Sequence, residues 1–151
     1  MPSPFAAADP RFAEVVAESF ARQTLMATLG AALVRVEPGE VEIELAWAPG
    51  LTQQHGFLHA GALAAVADSA NGYAALTLAP EGHDVLAVEF KINLLRPARA
   101  PRFLARGRVL RPGRTLTACS AEVLGLTEDG EELVASMLST ILLRERPRPQ
   151  R

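Results

Sequence analysis

The stretch HAGALAAVADSANGYAALTLA, residues 59–79, decides how this chain can fold. Small and apolar residues surround almost the whole circumference of a helix drawn through it. A surface helix would carry a polar stripe, so this one is expected to be buried on every side. Pro80-Glu81-Gly82 stops it. Something must wrap around such a helix, and its neighbours in sequence show what can.

Before it, Asp9-Pro10 reads as an N-cap followed by proline at the first helical position. Phe12, Val15, Val16, Ser19, Phe20 and Gln23 then recur at helical spacing, and residues 25–30 read as a second helical turn stopped by Gly30. From there the period changes to two. Val34 and Val36 lead through the turn Glu37-Pro38-Gly39-Glu40 to Val41, Ile43, Leu45 and Trp47, which alternate with smaller or charged residues as in a hairpin. After an irregular stretch, 51–58, comes the helix. Strands are then expected over 86–94, 102–110, 115–124 and 132–143, separated by Pro97 to Pro101, Arg111-Pro112-Gly113-Arg114 and Glu128-Asp129-Gly130. The last of these is apolar on both faces and is expected to be central.

The order is helix, hairpin, long buried helix, then a four-stranded meander. Strands in hairpin order imply an antiparallel sheet, so the class is α+β, a curled sheet around one helix, and not a parallel nucleotide-binding fold. The expected organisation is an N-terminal helical segment over 1–29, one domain over 30–143, and a disordered Arg/Pro tail over 144–151.

Composition narrows the function classes. The chain has 151 residues, 49% hydrophobic and 21% charged, which suits one globular domain. Only eight residues are aromatic, against 27 Ala and 21 Leu. A mean hydropathy of +0.14 means either that the core is large for the chain or that some apolar surface is covered by another subunit. The net charge of −2 argues against a dedicated nucleic-acid binder. One cysteine, Cys119, excludes an intramolecular disulfide and a multi-cysteine metal cage. The N-terminus has no basic stretch followed by an apolar run, and residues 59–79 are too polar for a membrane span, so a soluble cytoplasmic protein is the default.

Chemistry concentrates in residues 53–69. Asp68 is the only side chain charged at neutral pH between His59 and Glu81, and an ionised carboxylate on a buried helix is costly unless paired or used. Gln53, His59, Ala60 and Gly61 stand at or before the helix start, where free backbone N–H groups and the positive end of the dipole suit a developing oxyanion. His59 and Asp68 are nine residues apart, on opposite sides of one helix. They can share a site only if His59 lies in the preceding loop or a neighbouring subunit supplies Asp68.

This segment resembles the signature of the PaaI-like acyl-CoA thioesterases of the hotdog fold: Gln53, then six residues on His59-Ala60-Gly61, then Asp68 nine residues beyond the histidine. Residues 88–98 and the turn 111–116 are also similar to that family, and the resemblance spans roughly 30–143. It implies hydrolysis of an acyl-CoA to free acid and coenzyme A, in a homodimer or a homotetramer built as a dimer of dimers, without metal or cofactor. Asp68 would be general base or nucleophile. Gln53 would orient the water or thioester, the Ala60 N–H would sit at the oxyanion hole, and His59 would shape the loop. Gly61 and Ser69 would lie against substrate. Ala60 departs from the family's middle glycine, and Ala87 stands where some relatives carry a serine that helps place the water.

Seven arginines fall between Arg96 and Arg114, and the implied coenzyme A carries phosphates that guanidinium groups bind in bidentate geometry. Arg96, Arg99 and Arg114 are the favoured contacts, the rest reading as a solvated face. Two other readings compete: a hydratase or dehydratase acting on enoyl thioesters, and a non-catalytic acyl-CoA-binding module, which the missing serine at Ala87 allows. His55 and His59 have a metal-compatible spacing but lack a third ligand nearby.

Overall fold

The computed structural model describes residues 3–147. Helix α1 (Phe12–Arg22) and the short α2 (Thr24–Leu29) are separated at Gln23, whose backbone is extended, and α2 ends on Gly30 in the left-handed conformation that glycine adopts without steric penalty. Asp9 does not cap α1 directly. Its carboxylate accepts from the Arg11 N–H at 2.8 Å and the helix starts at Phe12. A hairpin follows, β1 (Ala32–Glu37) and β2 (Glu40–Ala46), then the central helix α3 (Ala60–Leu76), then β3 (His83–Leu94), β4 (Arg102–Arg111), β5 (Leu116–Thr127) and β6 (Gly130–Glu145).

The sheet is antiparallel with the order β1-β2-β4-β5-β6-β3. This corrects the expected four-stranded meander. Only β4, β5 and β6 follow in hairpin order, while β3 lies at the far edge, paired with β6 alone. The linker 95–101 explains the difference. It holds two prolines, which lack an N–H to donate, and it crosses the sheet's end beside α3, where Ala98 C=O accepts from the Leu58 N–H at 3.0 Å. A tight hairpin would not allow that crossing. Strand β6 is an interior strand, one place from the edge. It also runs to Glu145, where Arg146 pairs with Asp84 at 2.9 Å. The start of the expected tail is therefore ordered strand, and residues 148–151 of that tail lie outside the described residues.

Helix α3 lies in the concave face, touching β2 to β6. Val66, Ala67, Ala70 and Ala74 are fully buried against Val41, Ile43, Phe103 and Ile141. The small residues bring helix and sheet unusually close. A Cβ at Gly107 on β4 would lie 2.4 Å from the Ala70 carbonyl carbon, so only glycine fits there. Buried Asn71 donates to Ser139 Oγ at 2.8 Å, and Thr77 accepts from the Gly39 N–H at 2.7 Å, tying both halves of the sheet to the helix.

The edge strand β3 carries much of the exposed apolar surface. Leu86, Val88, Phe90 and Leu94 on β3 are 45–53% exposed. On the convex face, Leu116 and Leu138 are exposed as well. The other end of that face is a lattice of cross-strand ion pairs, Arg102–Glu44, Arg106–Glu42 and Arg108–Glu40. No helix among the described residues is long and apolar enough to cross a membrane.

Candidate functional site

Residues 47–59 bring the chain to the start of α3 through a compact loop. Trp47 Nε1 donates to Gly56 C=O at 3.1 Å, and the Gln53 N–H donates to Phe57 C=O at 2.9 Å. Gly56 has φ 83°, a conformation that favours glycine. His59 is the N-cap: its Nδ1 accepts from the Gly61 N–H at 2.7 Å, so that ring nitrogen carries no proton. Ala60 is the first helical residue, with negative φ, and its N–H meets no acceptor among the described residues. That is the free donor of a helix N-terminus.

Gln53 and Ala60 open onto a cavity of about 370 Å³, together with Phe57, Leu63, Leu94 and Arg96. Arg96 is tethered there by Leu133 C=O at 2.9 Å and Glu132 at 3.2 Å. Arg99 stacks its guanidinium over the Phe57 ring, 4.7 Å from the centroid.

Asp68 lies elsewhere, in a second cavity of about 390 Å³ with Ser19, Arg22, Gln23, Ser69, Gly72, Tyr73 and residues 85–87 of β3. Its Oδ1 is buried and has no hydrogen-bond partner. Burial raises the pKa of this carboxyl above the ordinary carboxylate range, since the charged form loses hydration and gains no partner. Beside it, Gln23 Nε2 donates to Ser69 Oγ at 3.2 Å, and the Tyr73 hydroxyl lies 3.5 Å from Gln23 Oε1 and 3.4 Å from Ser19 Oγ. Burial raises the Tyr73 phenol pKa as well.

Within one chain, then, the structure brings Gln53, Ala60 and Arg96 together and sets Asp68 and Ser69 apart from them. The His59 ring and Gly61 face a third, shallow hollow with Leu25 and Thr52. Arg114 is exposed in the turn between β4 and β5 and lines none of these cavities. Among the described residues no three metal-ligating side chains come together. Ala87 does line the Asp68 cavity. The sequence reading missed Ser19, Arg22, Gln23 and Gly72 as site residues. One signal was present: Ser19 and Gln23 are polar residues on the otherwise apolar face of α1.

Against known proteins, the family model of the thioesterase superfamily matches residues 55–132. A proofreading thioesterase, EntH, of Klebsiella pneumoniae is 30% identical over 120 residues, covering 80% of this chain and 86% of that protein. The chain belongs to the thioesterase superfamily. Among solved structures, a thioesterase family protein of Silicibacter pomeroyi superposes with a TM-score of 0.87 at 47% identity, covering 89% of this chain and 99% of that one. The PaaI protein of the Escherichia coli phenylacetic acid degradation operon shares the fold at 18% identity, with a TM-score of 0.79 over 90% of this chain and 95% of its own. Thioester hydrolysis is the chemistry this superfamily membership supports, and the curled antiparallel sheet around α3 is its hotdog fold.

Proposed function

We propose that this thioesterase hydrolyses acyl-CoA, with Asp68 as the group that attacks or activates water, in a site assembled between two copies of the chain. The observation that carries the proposal is the Asp68 carboxylate: half buried, one oxygen without a partner, and open to a cavity. A structural carboxylate would be paired. This one is left basic by its burial and free to take a proton.

Pairing two β3 edges supports the shared site. The Asp68 cavity borders residues 85–87, and the Gln53–Ala60 cavity borders residues 94–96 of the same edge. The point midway between them is Phe90–Lys91. An antiparallel pairing of β3 with its own copy about that point sets each Asp68 cavity against the partner's Gln53 cavity. It also buries the exposed leucines and Phe90 of β3. The convex-face Leu116 and Leu138 are then the surface for a dimer of dimers.

In that arrangement the thioester carbonyl oxygen accepts from the free Ala60 N–H at the positive end of α3. Gln53 hydrogen-bonds the water or the carbonyl, and His59 holds the loop through Gly61. Water oxygen bonds to the carbonyl carbon as its proton passes to Asp68. The C–S bond then breaks and the departing thiolate recovers a proton. Attack by Asp68 itself would give an anhydride that water opens, with the same products. Arg96 and Arg99, at the mouth of the Gln53 cavity, are placed for coenzyme A phosphates. Of the other arginines in that zone, Arg102, Arg106 and Arg108 are engaged by Glu44, Glu42 and Glu40.

A thiol-release assay with a panel of acyl-CoAs tests this. Turnover by the wild-type protein and its loss in Asp68→Ala is the expected result. Absence of release from every acyl-CoA, or equal rates in both proteins, overturns it.

A further inference from the structure

We infer that the cavity beside Asp68 is an acyl pocket that selects acyl groups bearing a hydroxyl or carbonyl along the chain, with Gln23 setting that selectivity and Gly72 setting the room available. The inference rests on the acyl-CoA hydrolase reading above and concerns which acyl group the enzyme takes.

The polar wall is unusual for a pocket meant for plain alkyl chains. Gln23, Ser69, Tyr73 and Ser19 converge on one side of the space next to Asp68. Their mutual bonds are long: 3.2 and 3.3 Å between Gln23 and Ser69, 3.4 and 3.5 Å around the Tyr73 hydroxyl. Hydroxyl bonds ordinarily run nearer 2.7–2.8 Å and amide N–H bonds nearer 2.9–3.0 Å. These bonds use one amide hydrogen of Gln23 and leave the other, with a lone pair on each of the Ser69 and Tyr73 oxygens, for a ligand. An alkyl chain entering here would strip water from these groups and return nothing, whereas a hydroxyl or carbonyl would replace the lost bonds.

Gln23 is the hub. It occupies the break between α1 and α2, where its extended backbone turns the side chain onto α3. Its amide meets both Ser69 and Tyr73, so it fixes where the two hydroxyls stand. The space itself exists because of Gly72. This residue follows Asp68 by four positions, hence on the same helical face. A Cβ added there meets nothing within 4 Å. The backbone at Gly72 is helical, so glycine is not required by its conformation; its absent side chain is what leaves the pocket open.

The test compares kcat/KM for hexanoyl-CoA with that for hydroxyhexanoyl- and oxohexanoyl-CoA isomers, in wild type, Gln23→Leu and Tyr73→Phe. Tyr73→Phe keeps the ring's packing on Phe20 and removes only the hydroxyl. The wild type is expected to favour at least one oxygenated isomer by about tenfold, the worth of one additional hydrogen bond. That ratio should fall towards one in Gln23→Leu and drop in Tyr73→Phe. In parallel, Gly72→Leu should lower the ratio of decanoyl-CoA to butanoyl-CoA kcat/KM by about tenfold or more. Turnover with no preference for any oxygenated isomer, or a preference unchanged in both variants, overturns the inference while leaving the hydrolase reading intact. Absence of turnover with every acyl-CoA overturns the hydrolase reading itself.

Discussion

Replacing Asp68 by Asn should abolish turnover and make the protein more stable at neutral pH. The substitution keeps shape and volume but removes a charge from a site where the Oδ1 oxygen has no partner. Leaving a buried polar group unsatisfied costs roughly 1–3 kcal/mol, more when it is charged. Asp68 is only partly buried, and solvent screening on its open side brings the expected gain down to about 1 kcal/mol. For a chain of this length that corresponds to a rise in Tm of roughly 2–4 °C. The sign depends on pH. The folded-state pKa of Asp68 lies above its unfolded value, so the wild type loses stability as pH rises through the interval between the two. The advantage of Asp68→Asn is therefore complete above that interval and vanishes below about pH 3.9, where both states are protonated. Thermal unfolding of both proteins at pH 8 and at pH 4, beside a thiol-release assay, checks the two claims together. Loss of a catalytic base should cost at least ~100-fold in rate, and the wild-type rate should fall on the acid side at a pH above the ordinary carboxylate range. A variant that is less stable than wild type at pH 8 would mean the carboxylate is a structural partner and would refute the reasoning. So would a variant that retains full turnover.

Gly107→Ala should destabilise by about 2–4 kcal/mol, because the new methyl meets the Ala70 and Asn71 backbone at 2.4–2.6 Å rather than a movable side chain; a urea unfolding curve reads it. Arg106→Leu should cost about 2 kcal/mol by leaving the buried Glu42 carboxylate without its partner, with kcat/KM unchanged, since the pair lies on the convex face away from both cavities. Phe90→Asp, at the midpoint of the exposed β3 edge, should yield monomers by light scattering and lose thiol release with them. A monomeric variant with full activity would rule out the shared site.

Much of this protein was legible without its structure. An Ala-rich segment with no polar stripe has to be a buried helix, and alternating strands around it have to close over it. Asp68 stood out because a carboxylate on such a helix is costly unless paired or used, and the spacing of Gln53, His59-Ala60-Gly61 and Asp68 carried the resemblance to a thioesterase signature. Strand order was not legible. Residues 86–94 alternate as any hairpin strand would, and their pairing with β6 rather than β4 depends on how the linker 95–101 crosses α3.

The separation of the candidate residues into two cavities also belongs to tertiary structure alone. Helical geometry put His59 and Asp68 on opposite sides of α3, but only the packing of α1 placed Gln23 and Ser19 beside Asp68, from 45 and more residues away in the chain. Periodicity reports which face of an element is covered, not which partner covers it. The arginines between Arg96 and Arg114 make the same point. In sequence they form a basic zone. In the folded protein, cross-strand register hands Arg102, Arg106 and Arg108 to glutamates of β2, while Arg96 pairs with Glu132 beside the cavity that opens onto the helix start and Arg99 stacks on Phe57, which lines it. Composition and spacing are local properties of the chain and determined the helix, the strands and the isolated carboxylate of Asp68. Neighbours brought together by pairing and packing are not local, and they decided which charges pair and which candidate residues share a cavity.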